Sequence, residues 1–105
     1  MNTKLFKSLC ETPGVPGREA RVREVVRGAI KGLFDEVHED AMGSLICTRK
    51  RTSGSKRNPT RVLVCAHMDE IGFYVRHVDE QGYAWVNPAG GFDARNLFHR
   101  RVLVC

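Results

Sequence analysis

The segment RVLVCAHMDEIGFYVRHV, residues 61–78, begins with an unbroken apolar run that leads directly into His67 and Asp69. Continuous apolar runs are typical of inner strands that are covered on both faces, so residues 62–66 predict such a strand. Residues two apart on a strand point to the same face, and His67 and Asp69 are therefore expected to project together from its end. In open α/β sheets, binding sites lie just beyond the carboxyl ends of the strands.

A histidine and an acid at this position are suited to holding a metal ion. One nitrogen of a neutral imidazole binds the metal, while a nearby carboxylate takes the proton of the other nitrogen and orients the ring. On this interpretation His67 is a metal ligand and Asp69 orients it. Glu70 is left out, because it would point to the opposite face if the strand continued.

The alternative is that His67 is an ordinary hydrogen-bonded histidine at a strand end, which spacing alone favours because short motifs often arise by chance. The same spacing occurs at His38–Asp40 and His77–Asp79. We interpret the first as part of an exposed strand and the second as the mouth of a hairpin, with no site at either. The isolated His99 has no partner pattern.

Composition is that of a globular chain, with 42% hydrophobic and 28% charged residues among 105. Such a length makes one domain or part of one. No apolar stretch approaches the roughly 18 residues of a membrane span, and the N-terminus lacks the apolar region of a signal peptide. We therefore expect a cytoplasmic protein without a membrane partner. The four cysteines form no CxxC pair and predict buried thiols rather than a disulfide frame or a zinc site.

The net charge of +5 is local: residues 49–61 hold six basic and no acidic side chains, and the rest of the chain has 11 basic and 12 acidic ones. The segment is rich in Ser, Gly, Asn and Pro, which predicts an exposed connection. It has no aromatic side chain to stack on bases, so no nucleic-acid partner is predicted, and a phosphate-binding arm is the alternative.

Hydrophobic periodicity predicts helices over residues 2–11 and 18–34. Strands are expected from Val37, over 45–48, from Val62, and over 71–78, 83–87 and 100–105, with a tight turn at DEQG, residues 79–82. The last strand would end the sequence inside an apolar run. Domain ends are usually polar and exposed, so we expect a piece of a longer protein.

Longer stretches carry a resemblance to one enzyme family. LCETPGVPGREARVREVV, HEDAMGSLICTRK, VLVCAHMDEIGFYVRHVDEQGYAWVNPAGGFDARNL and RRVLV occur in the family's order. The chain resembles the deblocking and glutamyl aminopeptidases, tetrahedral-assembly metallopeptidases also labelled endoglucanase M. AHMDEIGF followed by GGFD is far more specific than the spacing of His67 and Asp69. The resemblance departs at His99, where the family generally has glycine.

The resemblance implies an α/β fold: the N-terminal part of a zinc-peptidase α/β domain, with two helices and a mixed sheet, running into a β-rich inserted dimerisation domain. Residues 1–71 would belong to the catalytic domain and residues 72–105 to a β-hairpin region and the start of the insertion. The resemblance also implies two divalent ions, zinc or cobalt, with His67 as a metal ligand and Asp69 as a catalytic residue.

The implied activity is hydrolysis of N-terminal residues from peptides by metal-activated water, in homo-oligomers from dimers to dodecamers. The family's bridging aspartate, base glutamate and remaining ligands come later in the chain, so these 105 residues alone are expected to be inactive. The alternative is a non-catalytic truncated homologue that acts as a binding or assembly module.

Overall fold

The computed structural model describes residues 2–54 and 60–105. The chain forms helix α1 (Thr3–Glu11), helix α2 (Ala20–Ala29), strands β1 (Glu36–Glu39), β2 (Leu45–Thr48), β3 (Gly72–Val78) and β4 (Ala84–Ala89), and a short 3₁₀ helix (Ala94–Leu97). The predicted α/β class is confirmed. In the described part the strands form two separate antiparallel pairs, β1–β2 and β3–β4, where a mixed sheet was predicted.

Both helices lie where the periodicity places them, although α2 is shorter than expected. Asn2 caps α1 by accepting a hydrogen bond from the backbone N–H of Leu5 at 3.1 Å. The helix predicted over residues 18–34 ends at Ala29. The chain then turns through Gly32, whose φ of 78° is incompatible with a continuing right-handed helix.

The β1–β2 hairpin is held against α2 by Arg23. Its Nη1 lies 2.9 Å from Glu39 Oε1, and its Nε donates to the Gly43 carbonyl at 2.8 Å. Arg27 reaches the other oxygen of Glu39 at 3.1 Å. Ion pairs and hydrogen bonds of Arg23 and Arg27 thus join α2 to the hairpin.

Asp79 makes the hydrogen bonds that stabilise the turn of the β3–β4 hairpin. The backbone N–H of Asp79 donates to the Tyr83 carbonyl at 3.0 Å, and Gly82 turns the chain with a φ of 88°. The pairing contains an irregularity between Val75 and His77. Strand β4 continues through Pro88 to Ala89, two residues beyond the predicted end at residue 87.

The strands predicted over residues 62–66 and 100–105 do not form; that part of the sequence-based interpretation is wrong. Both segments contain the same pentapeptide, RVLVC, at 61–65 and 101–105. The side chains of Val64 and Val104 are 87% and 81% exposed. A strand requires a hydrogen-bonding neighbour, and the described residues supply none to either segment.

The first two residues of the basic segment, Arg49 and Lys50, contact residues that precede β2 in the sequence. Arg49 Nη1 donates to the Leu33 carbonyl at 2.7 Å, and Lys50 Nζ lies 2.5 Å from Glu36 Oε1. The hydrogen bond with Glu36 raises the pKa of Lys50 above its ordinary value. Residues 55–59, at the centre of the predicted exposed connection, lie outside the described residues.

The cysteines are unpaired as predicted but are not buried: Cys47 is half-buried, and Cys10, Cys65 and Cys105 are exposed. Cys65 and Cys105 are exposed because they belong to the two segments without strand partners, and Cys10 lies on α1, which has no buried residue. Within residues 2–54 and 60–105, no helix is long and apolar enough to cross a membrane.

Candidate functional site

His67 and Asp69 meet, although not in the way a strand would bring them together. His67 Nδ1 lies 2.9 Å from the backbone carbonyl oxygen of Asp69 and 3.2 Å from its Oδ1. Both residues lie in irregular backbone between the unpaired apolar segment and β3. The expected placement at the end of an inner strand is wrong, and the contact forms in irregular backbone instead.

The protonation of the His67 ring follows from its partner. A carbonyl oxygen only accepts hydrogen bonds, so Nδ1 must carry the proton in the contact with Asp69. In a neutral imidazole the other nitrogen, Nε2, is then an unprotonated acceptor. Nε2 makes no hydrogen bond to any described residue, and the His67 side chain is 86% exposed.

The two other pairs with the same spacing use their acids for turns. Asp40 Oδ1 accepts the backbone N–H groups of Ser44 and Met42 at 2.8 and 2.9 Å. These bonds, that of Ser44 first, lower the pKa of Asp40. Neither His38 nor its neighbours in β1 contact that carboxylate through a hydrogen bond in the described structure.

Asp79 behaves in the same way at the second hairpin. Its Oδ1 accepts from the Tyr83 backbone at 2.8 Å, and its Oδ2 accepts from the Trp85 indole at 3.1 Å. The bond from Tyr83, followed by that from Trp85, lowers the pKa of Asp79. Of the three pairs, all within the described residues, only His67–Asp69 joins an imidazole to its acid.

Glu70, which the strand interpretation excluded, anchors the site. Its backbone N–H donates to the Gly14 carbonyl at 2.8 Å, and its Oε1 accepts the Gly14 N–H at 3.0 Å. The two residues are 56 positions apart in sequence, so this is a tertiary contact. The glycines of PGVPG, residues 13–17, mark a tight segment of the chain, but nothing in the sequence pairs Gly14 with Glu70.

The PGVPG loop continues along the start of β3. The Tyr74 hydroxyl donates to the Pro16 carbonyl, and a side chain at Gly72 would collide with Val15. On its other side the loop rests on α2, where a Cβ on Gly14 would lie 2.5 Å from Val22 Cγ2. Val22 is the one buried apolar side chain among those the structure describes. The small core therefore lies directly behind the loop that holds Glu70.

AHMDEIGF and GGFD, the two parts of the specific sequence pattern, also contact each other. The Phe73 and Phe92 rings pack edge to face with their centroids 5.3 Å apart. A Cβ on Gly90 would lie 2.9 Å from Ile71 Cγ2, so the glycine allows this close approach. The end of AHMDEIGF thus packs against GGFD, two to four residues after Asp69 in the sequence.

The described residues do not complete a metal site. No group of three His, Cys, Asp or Glu side chains within them is arranged to hold a metal ion. A catalytic zinc takes three protein ligands in addition to water or substrate. His67, with Nδ1 oriented by Asp69 and Nε2 uncommitted, has the donor chemistry of one such ligand. A binuclear centre would need the other ligands from outside this chain.

The chain as a whole, with its two helices and two hairpins, is similar to a known class of peptidase. The model of the M42 glutamyl aminopeptidase family matches residues 43–105, more than half of the sequence. The chain belongs to this family of aminopeptidases, which are metallopeptidases.

The lysyl aminopeptidase of Pyrococcus furiosus is 36% identical over 100 residues, which is 94% of this chain and 27% of that enzyme. Among solved structures, a TET aminopeptidase from a marine sediment thaumarchaeon superposes with a TM-score of 0.78 at 30% identity. That match covers 89% of this chain and 25% of the other. An endoglucanase of Thermotoga maritima gives a TM-score of 0.73 at 40% identity, covering 88% and 28%. The chain thus spans about a quarter of the length of these relatives.

Proposed function

We propose that this chain is the N-terminal segment of a metal-dependent aminopeptidase that removes N-terminal residues from peptides. The observation that carries the proposal is the His67–Asp69 contact, in which Nδ1 is bound and Nε2 is left free, inside the part of the sequence that the family model matches. The name of the lysyl aminopeptidase relative supports a peptide substrate.

In this proposal His67 is a ligand of one of two divalent ions, zinc or cobalt, and Asp69 is the catalytic-site acid that fixes the imidazole. Bound ions of this kind activate a water molecule for attack on the peptide carbonyl. What this chain contributes is orientation: the carboxylate and carbonyl of Asp69 hold the Nδ1 proton, which leaves the Nε2 lone pair available and increases its basicity.

We propose further that residues 1–71 belong to the catalytic domain, and that residues 72–105 begin a β-rich inserted domain through which subunits dimerise and assemble up to dodecamers. The start of β3 at Gly72, immediately after the site, supports a boundary there. A cytoplasmic location is part of the same proposal.

The 105-residue chain alone is expected to be inactive, because it offers one metal ligand where a binuclear centre needs about five or six. Purified chain with added zinc or cobalt should release no p-nitroaniline from aminoacyl p-nitroanilides. Calorimetry should show only weak zinc binding, with His67→Ala and the matched control His38→Ala both close to the wild type. Turnover, or a tight stoichiometric site that disappears only in His67→Ala, would contradict this prediction.

A second candidate is a non-catalytic binding or assembly module. The two unpartnered RVLVC segments favour it, because exposed apolar segments with unpaired backbone groups are templates for association. Activity in a longer polypeptide that begins with these residues and supplies further Asp, Glu and His ligands would decide for the enzyme. If the cell makes only the 105-residue product, the module is supported.

A further inference from the structure

The peptide unit between Asp69 and Glu70 is held at both of its polar groups. Its N–H, which belongs to Glu70, donates to the Gly14 carbonyl at 2.8 Å. Its carbonyl, which belongs to Asp69, accepts from His67 Nδ1 at 2.9 Å. A peptide unit is planar and trans, so its N–H and C=O are opposite ends of one rigid plate. Fixing the N–H therefore fixes the carbonyl that orients the imidazole.

The Glu70 side chain strengthens this attachment. Its Oε1 accepts the Gly14 N–H at 3.0 Å, so backbone and side chain together make a reciprocal pair with one glycine. Hydrogen bonds to an ionised acceptor are stronger than neutral ones. The second bond restricts rotation of the Glu70 backbone relative to the loop, which a single N–H···O contact would allow.

The glycine itself cannot easily move. Gly14 is buried, and the 2.5 Å separation between its ideal Cβ position and Val22 Cγ2 shows how closely the loop lies on α2. Tyr74 binds the same loop at Pro16. The anchor that receives Glu70 is thus the best-packed part of the described chain, whereas His67 and Asp69 have no strand to hold them.

We infer that Glu70 is a positioning residue, which holds the Asp69–Glu70 peptide plane against Gly14 and thereby keeps His67 in the Nδ1-protonated form with Nε2 free. This rests on the proposed function only in taking Nε2 as the metal-binding nitrogen. Glu70 acts through its neighbours and touches no reacting atom.

The test uses the whole 105-residue chain labelled with ¹⁵N-histidine, without metal, at a pH where imidazoles are neutral. Ring ¹⁵N resonances, assigned with His67→Ala and read by solution or solid-state NMR, distinguish protonated from unprotonated nitrogens. Wild type should show the Nδ1–H form at His67. Glu70→Ala should shift His67 toward the Nε2–H form, which predominates in free histidine side chains. Hydrogen exchange at Gly14 should become on the order of tenfold faster, as expected for a lost hydrogen bond to a charged group.

Glu70→Gln supplies the rescue, since its amide oxygen can still accept from Gly14, and should restore both signals to near wild type. Glu80→Ala is the matched control, because Glu80 is an exposed acid at the distant β3–β4 turn and should change neither. An unchanged His67 spectrum in Glu70→Ala would overturn the inference. If that variant failed to fold, the wild type would decide: an Nε2–H His67, or an unprotected Glu70 amide, would overturn the inference, and the Nδ1–H form with a protected Glu70 amide would support it.

None of these signals depends on metal or turnover, so they separate this inference from the proposed function. Confirmed positioning without activity in any longer form of the protein would remove the aminopeptidase proposal and leave the local geometry intact. Activity with an unchanged His67 spectrum in Glu70→Ala would do the reverse.

Discussion

His99 has a backbone φ of 57°, the left-handed region that favours glycine, and it is the one non-glycine residue there in the described part of the chain. This conformation agrees with the glycine that the resemblance implies at this position. The conformation costs an L-residue on the order of 1–2 kcal/mol. Replacement by glycine removes that cost but adds flexibility to the unfolded chain, which offsets part of the gain.

We therefore predict that His99→Gly raises the free energy of unfolding by about 0.5–1 kcal/mol. Urea unfolding followed by the fluorescence of the single tryptophan, Trp85, measures the effect. His38→Gly is the matched control: the same chemical change lies in the extended backbone of β1 and should destabilise the protein. Equal loss of stability in both variants would contradict the prediction.

The contact between His67 and Asp69 was predictable from sequence, and the role of Glu70 was not. The prediction followed from two side chains that are close in sequence and that contact each other even in irregular backbone. Glu70 was excluded because a strand would have pointed it away. Its partner, Gly14, is 56 residues distant, and a single sequence contains no signal for that pairing.

At the level of elements, local sequence predicted hairpins and helices well and isolated strands badly. DEQG predicts a turn because Asp79 and Gly82 supply, respectively, a carboxylate that binds backbone amides and a positive φ. By contrast, RVLVC has the composition typical of a strand and occurs at two places in the chain, but neither copy forms a strand. The same residues would pair readily with the edge strand of a sheet. Strand formation by these segments depends on partners, which local composition does not encode.

The docking of α2 on the β1–β2 hairpin depends on Arg23, whose side chain is only 12% exposed. Arg23→Ala removes the bonds to Glu39 and to the Gly43 carbonyl together, and should lower the free energy of unfolding by about 1–2 kcal/mol. Chemical denaturation followed by circular dichroism measures this. Arg21→Ala, on the exposed side of the same helix, should stay within about 0.5 kcal/mol of wild type. A comparable loss in both would show that the contacts of Arg23 with the hairpin do not cause the effect.

At the level of the whole molecule, the described chain is more open than a closed domain. Its radius of gyration is 18.8 Å, against about 13 Å for a compact domain of this length. Its accessible surface is 9731 Å², against roughly 5,900 Å² for a compact monomer of this mass. The relatives are about four times as long, and on our proposal residues beyond this chain cover the RVLVC segments in the whole enzyme.

Without such a cover, the isolated chain should self-associate through residues 61–65 and 101–105, because unpaired backbone groups and apolar side chains lie together there. Leu63→Glu combined with Leu103→Glu should weaken association by about tenfold or more, since each leucine contributes roughly 1.5–3 kcal/mol when buried. Sedimentation analysis over a concentration series measures the change. Met42→Glu is the control. Met42 is as exposed as Leu63, at 87% against 86%, but it lies in the β1–β2 turn, outside the two RVLVC segments. A wild-type chain that stays monomeric throughout the series, or a control that dissociates the protein as strongly as the double variant, would show that these segments do not mediate association.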